Sequence, residues 1–145
     1  GKLVVPLIYD DAMHFNEGMA AVKKGGNWGF LDSTGKEAIP FEYSEAYSFT
    51  DGFGLVIKNN HFGFIDRSGK IAIPMMYDNA SSFSEGLAVV SKKNVWGFID
   101  VSGKEVIPLK YNYAVSFTDG VARVMKNGKW WNIDKSGKES PETPQ

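Results

Sequence analysis

The sequence contains no cysteine, which excludes disulfides, thiolate catalysis and cysteine-ligated zinc. Histidine is almost as scarce: His14 and His61 each occur once in their surroundings, with no partner at a ligand spacing, and both read as surface residues. Neither sign of charge dominates, since 16 basic and 17 acidic side chains leave a net charge of −1. A nucleic-acid groove would leave a clear basic excess, so no nucleic-acid partner is expected. No five like charges stand in a row to make an acidic or basic tail. No stretch approaches the ~18 consecutive apolar residues of a membrane-spanning helix, so no membrane insertion of this segment is expected. A nucleophile elbow, a phosphate loop and an H-E-x-x-H helix are all missing, and the chain reads as non-enzymatic with no cofactor. The opening Gly1-Lys2-Leu3-Val4-Val5 has neither Met nor the layout of a signal peptide, and reads as the start of a piece of a longer protein.

What the chain does have is aromatic rings and glycine. Ten Phe, six Tyr, four Trp and 16 Gly in 145 residues suit short strands joined by tight turns. They recur with a fixed period. Lys2–Gly35 realigns without gaps on Lys36–Gly69, Lys70–Gly103 and Lys104–Gly137, a repeat of 34 residues. Pro6, Pro40, Pro74 and Pro108 share a column, as do Tyr9, Tyr43, Tyr77 and Tyr111. The register continues through Ala12, Phe15, Gly18, Asp32 and Gly35 and their equivalents, so seven columns are invariant. The predicted organisation is one repeat domain over residues 1–137, in copies 2–35, 36–69, 70–103 and 104–137, with a C-terminal tail at 138–145.

Each copy reads as β. In Gly86–Lys93, Leu87, Val89 and Ser91 alternate with Ala88, Val90 and Lys92, as residues on opposite faces of a strand do. Asn94 offers a turn into Trp96-Gly97-Phe98-Ile99, and Asp100-Val-Ser-Gly103 turns again into Lys104–Pro108. In that second turn Asp accepts bonds from backbone N–H groups two residues on, while Gly takes positive φ. Proline cannot donate to a ladder, so the third strand is predicted at a sheet edge. One three-stranded antiparallel meander cannot bury both faces, and neighbouring copies must stack to make a core.

Trp28-Gly29-Phe30-Leu31-Asp32, Phe62-Gly63-Phe64-Ile65-Asp66 and Trp96-Gly97-Phe98-Ile99-Asp100, each with its Ser/Thr-Gly-Lys and Ile-Pro, resemble the WG-repeat family, also called KWG repeats. The resemblance covers Lys2–Gly137, with departures at Phe62, Trp131 and Asn132. It implies a β-rich scaffold of variable repeat number, mostly bacterial, without shared catalytic residues. A cell-envelope or secreted setting would suit it.

The all-β fold has two candidate arrangements. Variable copy number favours an open superhelical β array, because a ring fixes the number of copies. The alternative is a small closed four-bladed β-propeller in which the N-terminal strand Lys2–Pro6 pairs with Trp130–Asp134. In this reading the last copy has no third strand of its own, since Lys138–Gln145 lacks the apolar pair and carries Pro141 and Pro144.

The Asp-x-Ser/Thr-Gly turns offer one carboxylate and one hydroxyl each, against the roughly six to eight oxygens of a calcium site, so no metal is expected. Core columns are committed to packing, which directs attention to positions that leave the consensus: Tyr47, Tyr113, Arg123, Met125, Trp131 and Asn132. Tyr47 and Tyr113 fall in connectors, where binding residues concentrate. The expected function is a non-catalytic interaction module presenting a repeated β surface to a protein partner. Two other readings stand beside it, a structural spacer and a cell-wall or extracellular glycan-binding module using exposed aromatics. The glycan reading gains from Lys126–Gly137, which is similar to the much shorter choline-binding repeats of bacterial cell-wall proteins.

Overall fold

The computed structural model describes residues 8–141, and every regular element among them is a β-strand. The strands form four sheets of four, each a meander in chain order. The first holds β1 (Asp11–Ala12), β2 (Met19–Lys24), β3 (Asn27–Asp32) and β4 (Glu37–Tyr43). The second holds β5 (Glu45–Ala46), β6 (Gly54–Lys58), β7 (His61–Ile65) and β8 (Ile71–Tyr77). The third holds β9 (Asn79–Ala80), β10 (Leu87–Lys92), β11 (Val95–Asp100) and β12 (Glu105–Tyr111). The fourth holds β13 (Tyr113–Thr118), β14 (Val121–Lys126), β15 (Lys129–Asp134) and β16 (Glu139–Pro141). None of these sheets closes on itself. The chain thus has the all-β, tandem-meander architecture that its periodicity implies.

Three details differ from the sequence reading. Each meander has four strands rather than three, because part of the connector pairs with the strand that follows. Asp11 and Ala12 pair with Lys23 and Val22, and Asn79 and Ala80 with Ser91 and Val90. Two residues are too few to show an alternating pattern, and so left no mark. Secondly, the prolines lie at sheet edges, but inside their strands rather than ending them. Trp28 opposes Tyr43 while Phe30 opposes Ile39, so Pro40-Phe41-Glu42 bulges out against the lone Gly29. Thirdly, the last sheet has its own fourth strand. Glu139, Ser140 and Pro141 pair with Ile133, Asn132 and Trp131. Proline is tolerated there because β16 is the outer edge and needs no donor on that side. Both flanks of β15 are therefore taken by β14 and β16. The ladder expected from Lys2–Pro6 lies outside the described residues.

Three kinds of turn set the register. The β2–β3, β6–β7, β10–β11 and β14–β15 hairpins have two central residues at positive φ: Gly25-Gly26, Asn59-Asn60, Lys93-Asn94 and Asn127-Gly128. This is the type I′ geometry that matches strand twist. The invariant Gly of the second kind follows an acidic residue also at positive φ, as in Glu17-Gly18 and Asp119-Gly120. In the third, Asp100 Oδ1 accepts from Ser102 N at 2.9 Å, Ser102 Oγ at 2.6 Å and Lys104 N at 3.1 Å, with Gly103 at φ 87°. Asp32, Asp66 and Asp134 repeat these bonds.

By contacts the chain forms two compact units, divided between Met76 and Tyr77. In the first, one face of the first sheet (Met19, Ala21, Trp28, Phe30, Ile39, Tyr43) packs on Ala46, Phe49, Val56 and Ile65 of the second. Phe30 meets Phe49 edge-on, with ring centroids 5.0 Å apart. The second unit repeats the arrangement: Leu87, Val89, Phe98, Ile107 and Tyr111 of the third sheet pack on Ala114, Phe117, Ala122, Val124 and Ile133 of the fourth. Phe98 meets Phe117 at 4.9 Å. Burial of each such ring contributes about 2–3 kcal/mol, and the edge-on contact about 1 kcal/mol more. Polar clasps join the stacked sheets as well. Gly52 N donates to Glu17 Oε1 at 2.8 Å in the first unit, and Gly120 N to Glu85 Oε1 at 2.9 Å in the second.

The glycine of Trp-Gly-Phe is required by the proline bulge. A Cβ on Gly97 would lie 2.5 Å from the Ile107 carbonyl oxygen and 2.7 Å from the Pro108 backbone. Backbone cannot yield as a side-chain tip can, so Gly97→Ala is expected to lower unfolding free energy by about 1–3 kcal/mol in urea titration. The four turn carboxylates, Asp32, Asp66, Asp100 and Asp134, are held below the usual carboxylate range, chiefly by the hydroxyl of the Thr or Ser two residues on. Their unfolded forms bind protons more readily, so they stabilise the fold above the unfolded value near ~4 and that contribution is lost as pH falls through the lower folded values. Tm is expected to hold level above about pH 5 and to fall below about pH 4. Asp100→Ala should lower Tm at neutral pH and flatten the acid limb.

Candidate functional site

The central strands of the third and fourth sheets differ in one decisive way. Strand β10, Leu87-Ala-Val-Val-Ser, is buried on both faces, whereas β14 alternates exposed Val121 and Arg123 with buried Ala122 and Val124. The inner face of the fourth sheet keeps the consensus Ala, Val and Ile and packs on the third. Its outer face has departed: Arg123 stands in the column of Val89, Met125 in that of Ser91 and Asn132 in that of Phe98. Another copy of the consensus apolar sheet would meet a guanidinium and an amide there.

Strand register orders this outer face into rows. Trp130, Met125 and Tyr113 lie side by side across β15, β14 and β13. Beside them run Ser140, Asn132, Arg123 and Val115 across all four strands. Asp134, Val121 and Thr118 make the third row. Directly opposed Cβ atoms in such rows are about 4.5–5.5 Å apart. The Arg123 guanidinium sits over the Trp130 ring, 4.4 Å from its centroid, while Tyr113 meets Trp130 edge-on at 6.2 Å and Trp96 at 4.7 Å. The apolar residues Tyr113, Val115 and Val121 are nevertheless 46%, 42% and 43% exposed. Val121, Asn132, Asp134, Lys138 and Ser140 line a cavity of about 320 Å³ at one end of this sheet.

Of the six residues nominated from sequence, four therefore share one face: Tyr113, Arg123, Met125 and Asn132. Tyr113 opens strand β13 rather than lying in a loop. Trp131 stands on the opposite face from Trp130 and is half-buried against the core. Its place in the glycine column is explained by β16, which passes without the proline bulge and so leaves room for a side chain opposite Pro141. Tyr47 belongs to the first unit, just beyond β5, 37% exposed. Val115 and Val121 escaped the sequence reading, and Trp130 entered it only among the exposed aromatics of the glycan reading. Trp130 matches its column, and the two valines look like ordinary strand residues, so only exposure reveals them.

The short strand β16 is fastened by Glu139. Its carboxylate accepts from Tyr111 Oη at 2.5 Å and from Lys126 Nζ at 2.7 Å. The Lys126 ammonium, followed by the Tyr111 hydroxyl, holds Glu139 below the usual carboxylate range, and burial together with Glu139 pushes the Tyr111 phenol up. Tyr9, Lys24 and Glu37 form the same triad at 2.8 Å and 3.2 Å, whereas the second copy has Ile71 in the column of the acid. Among the described residues no three of His, Cys, Asp and Glu are grouped to hold a metal ion. Because Trp131 packs on the core, Trp131→Gly is expected to lower unfolding free energy by about 2 kcal/mol. Tyr113→Ala, at an exposed site, should cost less than about 1 kcal/mol in the same urea titration.

Comparisons with known proteins agree with this architecture. KlHsv2 with loop 6CD replaced by a Gly-Ser linker is similar to this chain at 11% identity and TM-score 0.55, over 88% of this chain and 49% of that one. Kluyveromyces lactis Hsv2p is similar at 9% identity and TM-score 0.53, over 90% and 49%. A eukaryotic initiation factor is similar at 11% identity and TM-score 0.54, over 87% and 41%. These are likenesses of fold alone, and the chain spans less than half the length of each. No curated protein matches it. The model of the WG containing repeat matches residues 1–28, 28–60, 62–96 and 96–130. With four tandem matches over most of its length, the chain belongs to the WG containing repeat family.

Proposed function

We propose that the chain is a non-catalytic interaction module, and that the outer face of its fourth sheet receives a protein partner. One observation carries the reading: this face replaces consensus core residues by Arg123 and Asn132 while leaving Tyr113, Val115 and Val121 open to solvent. Tyr, Trp and Arg together are the composition of binding hot spots, and a flanking polar row of Asn132 and Ser140 suits their rim. The stack also argues about ligand class. A sugar ring needs a bare aromatic face, and the guanidinium of Arg123 already lies over that of Trp130.

A glycan reading finds its support elsewhere, in a hollow of about 460 Å³ lined by Lys129, Trp130, Trp131 and Pro141. It predicts a shift of tryptophan emission on adding soluble glucan, chitin or peptidoglycan fragments. For the protein-binding reading, a partner is captured on immobilised chain, identified, and its affinity measured against variants. Arg123→Glu and Tyr113→Ala are each expected to weaken it at least tenfold (about 1.4 kcal/mol or more) with the fold unchanged by circular dichroism. Equal affinity for both variants and the parent chain would remove this face from consideration.

A further inference from the structure

We infer that the partner fitting the outer face of the fourth sheet is the same face of a second copy of this chain. The inference rests on the proposed function above and names its occupant. Within each unit the face of one sheet is covered by another sheet lying on it, but the outer face carries Arg123 and Asn132, so a sheet covering it must offer polar groups as well as apolar ones. Head-to-tail stacking onto the first sheet would need the residues opposite its packed face. Those residues, Ala20, Val22 and Leu31, are fully buried. The outer face can instead meet itself, provided it is self-complementary about a two-fold axis.

Its residues meet that condition. The exposed Tyr113, Val115 and Val121 supply apolar surface on one side of the face. Arg123 lies in the middle row, and Asp134 lies in the next row along the strands. Asp119, at the turn leading into β14, adds a second carboxylate at that end and is exposed. Asp134 is committed to its own turn, where its Oδ1 accepts from Ser136 and Lys138, so a two-fold axis between those rows sets Arg123 of each copy toward Asp119 of the other. Asp119 also occupies the column of Glu17 and Glu85, whose carboxylates clasp a backbone N–H of the sheet stacked above them. The fourth sheet thus retains the acidic group that its relatives use to hold a neighbouring sheet.

The small area points to a weak contact. Three strands of six residues and β16 with three, at ~4.8 Å spacing and ~3.3 Å rise, give roughly 330 Å² per copy, and roughly 670 Å² in total. Standard stable interfaces bury about 1,200 Å² or more, so association should be reversible and weak, in the range of tens to hundreds of micromolar. Charge swapping tests it. Sedimentation velocity on the parent chain from ~5 to ~500 µM is expected to show a monomer–dimer equilibrium. Arg123→Glu should shift its midpoint upward at least about tenfold, and Arg123→Glu with Asp119→Lys should restore it. If Arg123→Glu fails to fold, Tyr113→Ala on the same face decides, with the same expected loss. A parent chain that stays monomeric throughout, or a dimer unmoved by Arg123→Glu and Tyr113→Ala, overturns the inference. A monomeric parent whose captured partner is still lost on Arg123→Glu would leave the proposed function standing while removing the second copy as occupant.

Discussion

Stacking of one sheet's face on the next is the interaction on which the rest of this structure depends. A meander of four strands, two of them short or bulged, has too little surface to protect its own apolar residues from water. Phe30 and Phe98 are wholly buried because Phe49 and Phe117 arrive from the neighbouring sheet to meet their ring edges. Two of the four invariant alanines follow from the same contact: Ala46 and Ala114 lie where a sheet approaches the cluster of its neighbour, and a larger side chain would hold the two apart. Turn chemistry then maintains the strand register on which the stacking relies. Each Asp-x-Ser/Thr-Gly turn closes its own hydrogen bonds locally, so it can recur unchanged whatever the sheets around it do.

A second constraint lies inside each sheet. Proline interrupts the edge strand, the strand bulges toward its neighbour, and only glycine fits beneath. In the fourth sheet all three terms change together. Over its described residues Glu139–Pro141 the edge strand pairs regularly, no proline bulge forms there, and the glycine column holds Trp131. What looked like an isolated anomaly in the repeat is one coupled alteration of the edge. Glu139, held by Tyr111 and Lys126, ties this edge strand to the rest of the unit.

That alteration has a counterpart on the sheet's outer surface. Its inner face continues to obey the repeat, because the third sheet still packs on it. The outer face is released from that requirement and takes on mixed chemistry, with a guanidinium stacked on an indole, an amide beside it, and tyrosine and valine exposed. The presence of aromatic, apolar and charged groups in ordered rows distinguishes it from a merely solvated surface. In the function proposed for it, recognition would work through packing and charge placement.

Periodicity of 34 residues made the four copies, their β character, the turn mechanism and the edge position of the proline legible from the chain alone, because each depends on contacts local in sequence. Even the departures that matter, such as Arg123 and Asn132, stood out against the repeat. The sequence by itself therefore determined the repeat unit, its turns and three of its four strands, but neither the short first strand nor the bulged register of the edge strand. Tertiary structure alone decided which face of a strand such as β14 is covered, that Trp130 faces outward and Trp131 inward, and that Glu139–Pro141 completes the last sheet. Alternation along a strand says that two faces differ, but not which of them a neighbour will cover. That depends on strands brought together from far along the chain.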